Sequence, residues 1–276
     1  MKLQFSKMHG LGNDFVLLDG RGSPVHLSAD QVRYIADRRR GIGCDQVLVI
    51  EPATLKGADV AYRVFNADGA EVEQCGNGVR CVACYVRDRG LAVGASVIAE
   101  TMNRAIEVFF EPDGLVRVNM GEPEFEPTSI PLQAEKRDDS YDLRVGDREV
   151  RIGAVSMGNP HAVIEVDSVE AVAVAELGLA VQSSHHFPAG VNVGFVQFVD
   201  QAHVRLRVYE RGAGETPACG TGACAAVVVG RCWSRLDHAV DVELPGGNLR
   251  IEWQGEGADV WMTGPIKYVF EGTIEI

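Results

Sequence analysis

Two stretches of this chain repeat one pattern, and no other feature constrains the fold as strongly. Cys75-Gly76-Asn77-Gly78-Val79-Arg80-Cys81-Val82-Ala83 and Cys219-Gly220-Thr221-Gly222-Ala223-Cys224-Ala225-Ala226 each set a thiol and a Gly-x-Gly ahead of an apolar run of helical length. The two cysteines lie 144 residues apart. Gly12-Asn13-Asp14-Phe15 corresponds to Gly158-Asn159-Pro160-His161 at an offset of 146, and Asn66 and Glu210 each stand nine residues before their cysteine. One nearly constant offset shared by three features implies two copies of one domain fold, related by a pseudo-twofold. A cleft between such copies is the expected ligand site, because domain interfaces favour ligands and equivalent loops would face one another there.

The pattern of apolar residues predicts a mixed α/β (α+β) fold of two pseudo-symmetric domains. Phe15–Leu18, Gln46–Ile50, Val60–Phe65, Val191–Val199, His203–Glu210, Val240–Leu244, Leu249–Trp253 and Val260–Met262 have strand composition. Ser28 is placed to cap a helix running to Arg39 and ended by Gly41. The segments Val79–Asp88 and Ala223–Ser234 read as helices that are apolar on most faces, which makes them buried helices. Strands must then wrap them, so each domain is expected to be a curved, mostly antiparallel sheet around a central helix. The acidic, proline-rich stretch 121–127 is the expected link, giving domains at 1–120 and 121–264, with 265–276 returning to the first as a strand.

Composition narrows the function. With 26 basic against 39 acidic residues the net charge is −13, which leaves no electrostatic footprint for nucleic acid or an anionic membrane. No apolar run approaches the roughly 20 residues that span a bilayer, and the start carries no signal-peptide core, so a cytoplasmic protein is expected. Seven cysteines, an odd number, favour reduced thiols over a disulfide framework. Lys2, Lys7, Lys56, Lys136 and Lys267 are the only lysines, and none sits in a glycine- or serine-rich phosphate loop, which argues against a pyridoxal-phosphate enzyme. Neither Gly-x-Gly opens a Rossmann fingerprint or a P-loop.

The chemistry is then sought at the two helix mouths. Unpaired N–H groups and aligned peptide dipoles there favour a thiolate and seat a carboxylate. Two such thiols, Cys75 and Cys219, suit a pair in which one removes a proton and the other delivers one to the opposite face, inverting a carbon centre. Cys81, Cys84, Cys224 and Cys232 lie inside apolar helices and read as inert; Cys44 is ambiguous, with the structural reading preferred. Asn13, Asn66, Asn159 and Asn192 each adjoin an apolar strand or a glycine turn, where a lone Asn is a turn residue but four in related places can serve a ligand's carboxylates and ammonium groups. Glu210 is suited to an ammonium and Arg211 to a carboxylate, against the alternative of an exposed ion pair. His161 reads equally as a strand-end histidine and as a group tuning a thiol.

Six segments carry a family resemblance: His9–Phe15, Gly43–Gln46, Phe65–Gly69, Gln74–Gly78, Met157–His161 and Glu210-Arg211-Gly212-Ala213-Gly214-Glu215-Thr216-Pro217-Ala218-Cys219-Gly220-Thr221-Gly222. In order and over nearly the whole chain they resemble the diaminopimelate epimerases. The resemblance implies a diaminopimelate epimerase-like fold and interconversion of LL- and meso-diaminopimelate in lysine and peptidoglycan-precursor synthesis, without cofactor or metal. It implies Cys75 and Cys219 as the acid/base pair, and Asn13, Gln46, Asn66, Gly76, Asn77, Asn159, Asn192, Glu210, Arg211, Gly220 and Thr221 as substrate-binding residues. His161 and Glu210 would set the thiols' protonation. A homodimer with Phe270 at the contact is implied as well. Two alternatives stand beside it: a related two-cysteine amino-acid racemase such as a proline racemase, and a redox-sensing binding module in which Cys75 and Cys219 form a disulfide.

Overall fold

The strand pairing of the first half of the chain recurs in the second. The structure, a computed structural model, describes residues 1–72, 76–92, 94–102 and 105–276. The chain divides into a unit made of Met1–Asn119 with Gly264–Ile276 and a unit made of Met120–Thr263.

The first unit contains β1 (Lys2–Gly10), β2 (Asn13–Asp19), α1 (Ala29–Ala36), β3 (Gln46–Glu51), β4 (Val60–Asn66), β5 (Glu71–Val72), α2 (Gly76–Asp88), β6 (Ser96–Glu100), β7 (Ala105–Phe110) and β8 (Val116–Gly121). β1 and β2 form a hairpin, β2 lies parallel to β3, and β3 pairs antiparallel with β4. β4 then takes β5 antiparallel at one end and β6 parallel at the other, and β6, β7 and β8 meander antiparallel. α2 packs on strands from β1 to β7, so the sheet curls around it.

The second unit contains β9 (Tyr141–Val145), β10 (Arg148–Ser156), β11 (Pro160–Glu165), α3 (Val174–Gln182), β12 (Asn192–Phe198), β13 (His203–Glu210), β14 (Gly214–Thr216), α4 (Gly220–Cys232), β15 (Ala239–Leu244), β16 (Gly247–Glu252) and β17 (Val260–Gly264). β10 and β11 pair antiparallel, β11 lies parallel to β12, and β12 pairs antiparallel with β13. β13 takes β14 antiparallel and β15 parallel, and β15, β16 and β17 meander. α4 packs inside this sheet as α2 does in the other. The last strand, β18 (Lys267–Glu275), returns to the first unit and pairs antiparallel with β1.

The two central helices are buried for the reason their sequences suggest. Ala223 to Val229 are all nearly inaccessible, and each buried valine contributes about 1.5–3 kcal/mol. α2 carries Val79, Cys81, Val82, Ala83 and Val86 inward in the same way. Ser28 caps α1 through a capping box with Gln31. α1 stops at Ala36 rather than Arg39, because Asp37 is extended and its carboxylate accepts the N–H groups of Arg39 and Arg40. α2 and α4 begin directly at Gly76 and Gly220, earlier than the apolar runs suggest, and α4 ends at Cys232 rather than Ser234. Gly12 and Gly158 share a left-handed φ of 86° and 85°, which bends the chain sharply just before Asn13 and Asn159.

Candidate active site

In the first unit, the strand register gathers the polar residues in two pairs. Gln46 opens β3 and stands opposite Asn66 at the end of β4. Its Nε2 donates to Asn66 Oδ1 at 2.8 Å. Asn13 opens β2, and its Oδ1 accepts from Nδ2 of Asn77, in the first turn of α2, at 3.2 Å. Asn77 Oδ1 in turn accepts from the buried Arg80. Gly76 is the first residue of α2. Cys75, the catalytic candidate of this half, lies outside the described residues.

An ionic cluster fixes the start of both strands. Asp45 Oδ2 accepts from Asn13 Nδ2 at 3.2 Å and from the Asp14 N–H at 3.0 Å, while Asp14 Oδ1 accepts from the Asp45 N–H at 2.9 Å. Lys7 Nζ donates to Asp14 Oδ2 at 2.6 Å and to the Gly43 carbonyl, and Arg38 bridges Asp14 and Asp45. Burial opposes ionisation of Asp14, but the hydrogen bonds from Arg38 and Lys7 outweigh it and hold the carboxyl well below the usual range. Neighbouring Cys44 is buried, and burial pushes its thiol up to about 12.

In the second unit, one chain of contacts runs through the candidate residues. Cys219 is the N-cap of α4 and is 4% exposed. Its thiol donates to Glu210 Oε2 at 3.1 Å and lies 3.6 Å from Thr221 Oγ1. Thr216 Oγ1 donates to the other carboxylate oxygen, Oε1, at 2.5 Å. Thr221 Oγ1 accepts from Asn159 Nδ2 at 3.3 Å, and Asn159 Oδ1 lies 3.0 Å from His161 Nε2. Pairing with a carbonyl oxygen makes Nε2 the protonated nitrogen. His161 stands opposite Asn192 across the parallel pair β11 and β12. Asn192 Nδ2 donates to the Pro160 carbonyl at 3.1 Å and its Oδ1 accepts the Arg211 N–H at 2.9 Å. The Arg211 guanidinium reaches the Ala189 carbonyl at 3.0 Å. Gly220 opens α4. A β-carbon at Gly222 would stand 3.0 Å from Val208 Cγ2 and 3.3 Å from Cys219 Sγ, so glycine leaves room for the thiol.

The electrostatics of this thiol correct one expectation. A helix mouth alone favours a thiolate, yet Cys219 is pushed well above its ordinary value. Burial is the main cause, followed by the charge of Glu210 and the hydrogen bond to it; Thr221 and the Gly222 N–H pull the other way but are outweighed. His161 is pushed down to about 3, first by burial and then by the positive charge of Arg211, so the imidazole is neutral. Among the described residues, no three His, Cys, Asp or Glu side chains are grouped to hold a metal ion. A cavity of about 650 Å³ in this unit, lined by Arg148, Arg151, Ile164, Trp233 and Arg235 among others, contains none of the candidates.

Comparison with known proteins gives this geometry a context. A family model described as diaminopimelate epimerase matches residues 5–126 and 153–269, which include both cysteine segments. A diaminopimelate epimerase of Alkalilimnicola ehrlichii is 55% identical over 278 residues, covering all of both chains. One from Thioalkalivibrio sulfidiphilus is 56% identical over 278 residues, again covering all of both. This chain belongs to the diaminopimelate epimerase family. A hydroxyproline epimerase from Agrobacterium vitis, solved with bound trans-4-hydroxy-L-proline, has the same fold: TM-score 0.70 at 18% identity, over 99% of this chain and 92% of that one.

Phe270 sits on β18, 48% exposed, with its ring edge-on to Phe5 at 5.7 Å; Tyr268 and Val269 beside it are exposed as well. No helix among the described residues is long and apolar enough to cross a membrane. Sequence reasoning singled out neither Asp45, which holds Asn13, nor Thr216, which holds Glu210. The available signal is weak: each is an ordinary polar residue inside a longer motif, and its contact depends on which strands pair.

Proposed function

We propose that this chain interconverts LL- and meso-diaminopimelate without a cofactor, by proton transfer between two thiols and one α-carbon. The observation that carries the reading is Cys219 at the start of α4, with its S–H directed at Glu210 Oε2 and its titration pushed up. Such a group enters the reaction as an acid. The second group of the pair is Cys75. In one direction the Cys75 thiolate takes the α-proton, so that C–H breaks and S–H forms. The Cys219 thiol delivers its proton to the opposite face of the same carbon. The reverse direction exchanges the roles, and no net proton is consumed.

Charge that develops on the α-carbon is shared with the substrate α-carboxylate. N–H groups of Gly220 and Thr221 on α4 and of Gly76 and Asn77 on α2 stabilise it, because helix N-termini favour negative charge. Asn13, Gln46, Asn66, Asn159, Asn192 and Arg211 hold the remainder of the substrate and select it over simple amino acids. Glu210 acts on the Cys219 thiol, and His161 orders Asn159 and Thr221 beside it. The enzyme works in the cytoplasm, within lysine and peptidoglycan-precursor synthesis, as a homodimer with Phe270 at the contact.

Incubating reduced protein with LL-diaminopimelate in D₂O, with chelator and no added cofactor, tests the reading by NMR. Deuterium should enter one α-centre as the meso isomer forms. Exchange with proline or hydroxyproline but not with diaminopimelate would replace the substrate and keep the thiol chemistry. Absence of exchange with all three would remove the epimerase reading.

A further inference from the structure

We propose that Thr216 is a positioning residue that holds the Glu210 carboxylate against the Cys219 thiol. The proposal rests on the reading above, in which Cys219 and Glu210 work in the reaction. It starts from the hairpin that precedes the second cysteine. β13 and β14 pair Val208 with Thr216 and Glu210 with Gly214. Alternate residues share a face, so Thr216 is the diagonal neighbour of Glu210 on one face, within reach of a long side chain. The contact is short: Thr216 Oγ1 donates to Glu210 Oε1 at 2.5 Å. That leaves Oε2 for the Cys219 S–H at 3.1 Å. The carboxylate is thus divided between two donors, one on each oxygen.

The hydroxyl is the donor that fixes it. A thiol is a weak donor, whereas an O–H to a carboxylate is a charge-assisted bond. Glu is a rotamer-rich side chain that loses entropy when ordered, so an S–H alone would hold it loosely. Glu210 is the charged group in contact with the thiol. From α4 the thiol meets Thr221 Oγ1 and the Gly222 N–H, and from β11 neutral His161 reaches it through Asn159 and Thr221. Arg211, adjacent to Glu210, directs its guanidinium to the Ala189 carbonyl instead.

The first unit supplies an internal control. There the register pairs Val64 with Val72, the places that Val208 and Thr216 occupy in the second unit. Asn66 stands in the place of Glu210 and is held by Gln46 Nε2, not by a hydroxyl from the short strand. The fold therefore accepts valine at this position, and a hydroxyl stands there where the residue to be held is a carboxylate.

The test uses full-length reduced protein labelled with ¹³Cβ-cysteine, with the Cys219 resonance assigned by Cys219→Ser. Its thiol-to-thiolate shift is followed with pH in wild type, Thr216→Val and Thr216→Ser. Wild type and Thr216→Ser should titrate together, and Thr216→Val should titrate about one pH unit lower, because a freed carboxylate no longer keeps its charge and acceptor on the thiol. The alkaline limb of kcat/KM for diaminopimelate should move down with it, with kcat falling and KM nearly unchanged. Thr216→Val titrating with wild type would overturn the proposal, as would Thr216→Ser titrating with the valine variant. Should Thr216→Val lose its fold by circular dichroism, Thr216→Ala takes its place under the same criteria. A wild-type protein that leaves diaminopimelate untouched would refute the function above, while the titration would still decide the role of Thr216.

Discussion

The two units place the same contacts around different polar groups. In each, an asparagine after a left-handed glycine bonds the second residue of the central helix: Asn13 to Asn77 at 3.2 Å in one, Asn159 to Thr221 at 3.3 Å in the other. In each, a parallel strand pair brings an amide beside the end of the next strand, as Gln46 or Asn192. The differences are confined to a few positions. Asn66 becomes Glu210, Val72 becomes Thr216, and the buried Phe15 becomes the buried His161. The first unit sets the amides of Asn66 and Gln46 where the second sets a carboxylate anchored by Thr216. A duplicated fold provides two equivalent helix starts, and in the second one Glu210 adds to burial in raising the thiol.

That contrast can be broken outright at the thiols. Cys219→Ala and Cys75→Ala should each lower turnover of diaminopimelate by about 10³-fold or more, since each removes one general acid/base. Steady-state kinetics of the folded variants checks this, and near-normal turnover by either would end the two-thiol account. Glu210→Gln makes the second unit resemble the first. It should lower kcat by about 10²-fold and shift the alkaline limb of the pH profile downward, because the negative charge that raises Cys219 is gone. An unchanged profile would mean that burial alone sets the thiol.

Stability offers a second comparison. Asp14 in the first unit is a paired carboxylate held low, so its contribution is complete above the unfolded value of about 3.9 and is lost as pH falls through its folded value. Asp14→Asn should cost about 3 kcal/mol in denaturant unfolding at neutral pH, because Lys7 is left buried without its partner. His161 in the second unit is depressed to about 3. The native state leaves it neutral while the unfolded chain binds a proton below about 6.5, so stability is lost as pH drops from about 6.5 toward about 3, by up to about 1.4 kcal/mol per pH unit. His161→Phe, the residue that the first unit carries, should flatten that slope; a slope unchanged in urea titrations would assign it to other groups. The smallest effect is expected at Gly222→Ala. The added methyl must displace Val208 or the thiol by a few tenths of an ångström, and turnover should fall about tenfold. The helix should be little changed in stability, since alanine favours it by about 1 kcal/mol.

Much of this was legible in the sequence because it is written as offsets. The paired cysteines, the Gly-Asn turns and the Asn66/Glu210 correspondence all follow from position alone, and the capping box at Ser28 follows from residue types. α3 was not foreseen: Ala173 gives it no side-chain cap, and Val174–Gln182 is apolar without a clear helical face. Gly41 is the visible stop signal for α1, which points to an end at Arg39, whereas a short aspartate turn at Asp37 ends the helix earlier. Thr216 and Asp45 were missed because their contacts depend on strand register, which brings diagonal or non-adjacent residues together. The sign of the Cys219 shift was missed for a related reason. The helix mouth is visible in a Cys-Gly-x-Gly motif, but the depth of burial and the approach of a carboxylate nine residues away are products of the fold.

Burial, reinforced by the Glu210 carboxylate, keeps the second thiol protonated. Titrating the ¹³Cβ resonance of Cys219 in wild type and Glu210→Gln tests it directly. The wild-type thiol should persist well beyond the ordinary value of about 8.5, and Glu210→Gln should titrate clearly lower. A wild-type Cys219 that ionises at or below that ordinary value, or one that titrates identically in the two proteins, would contradict it.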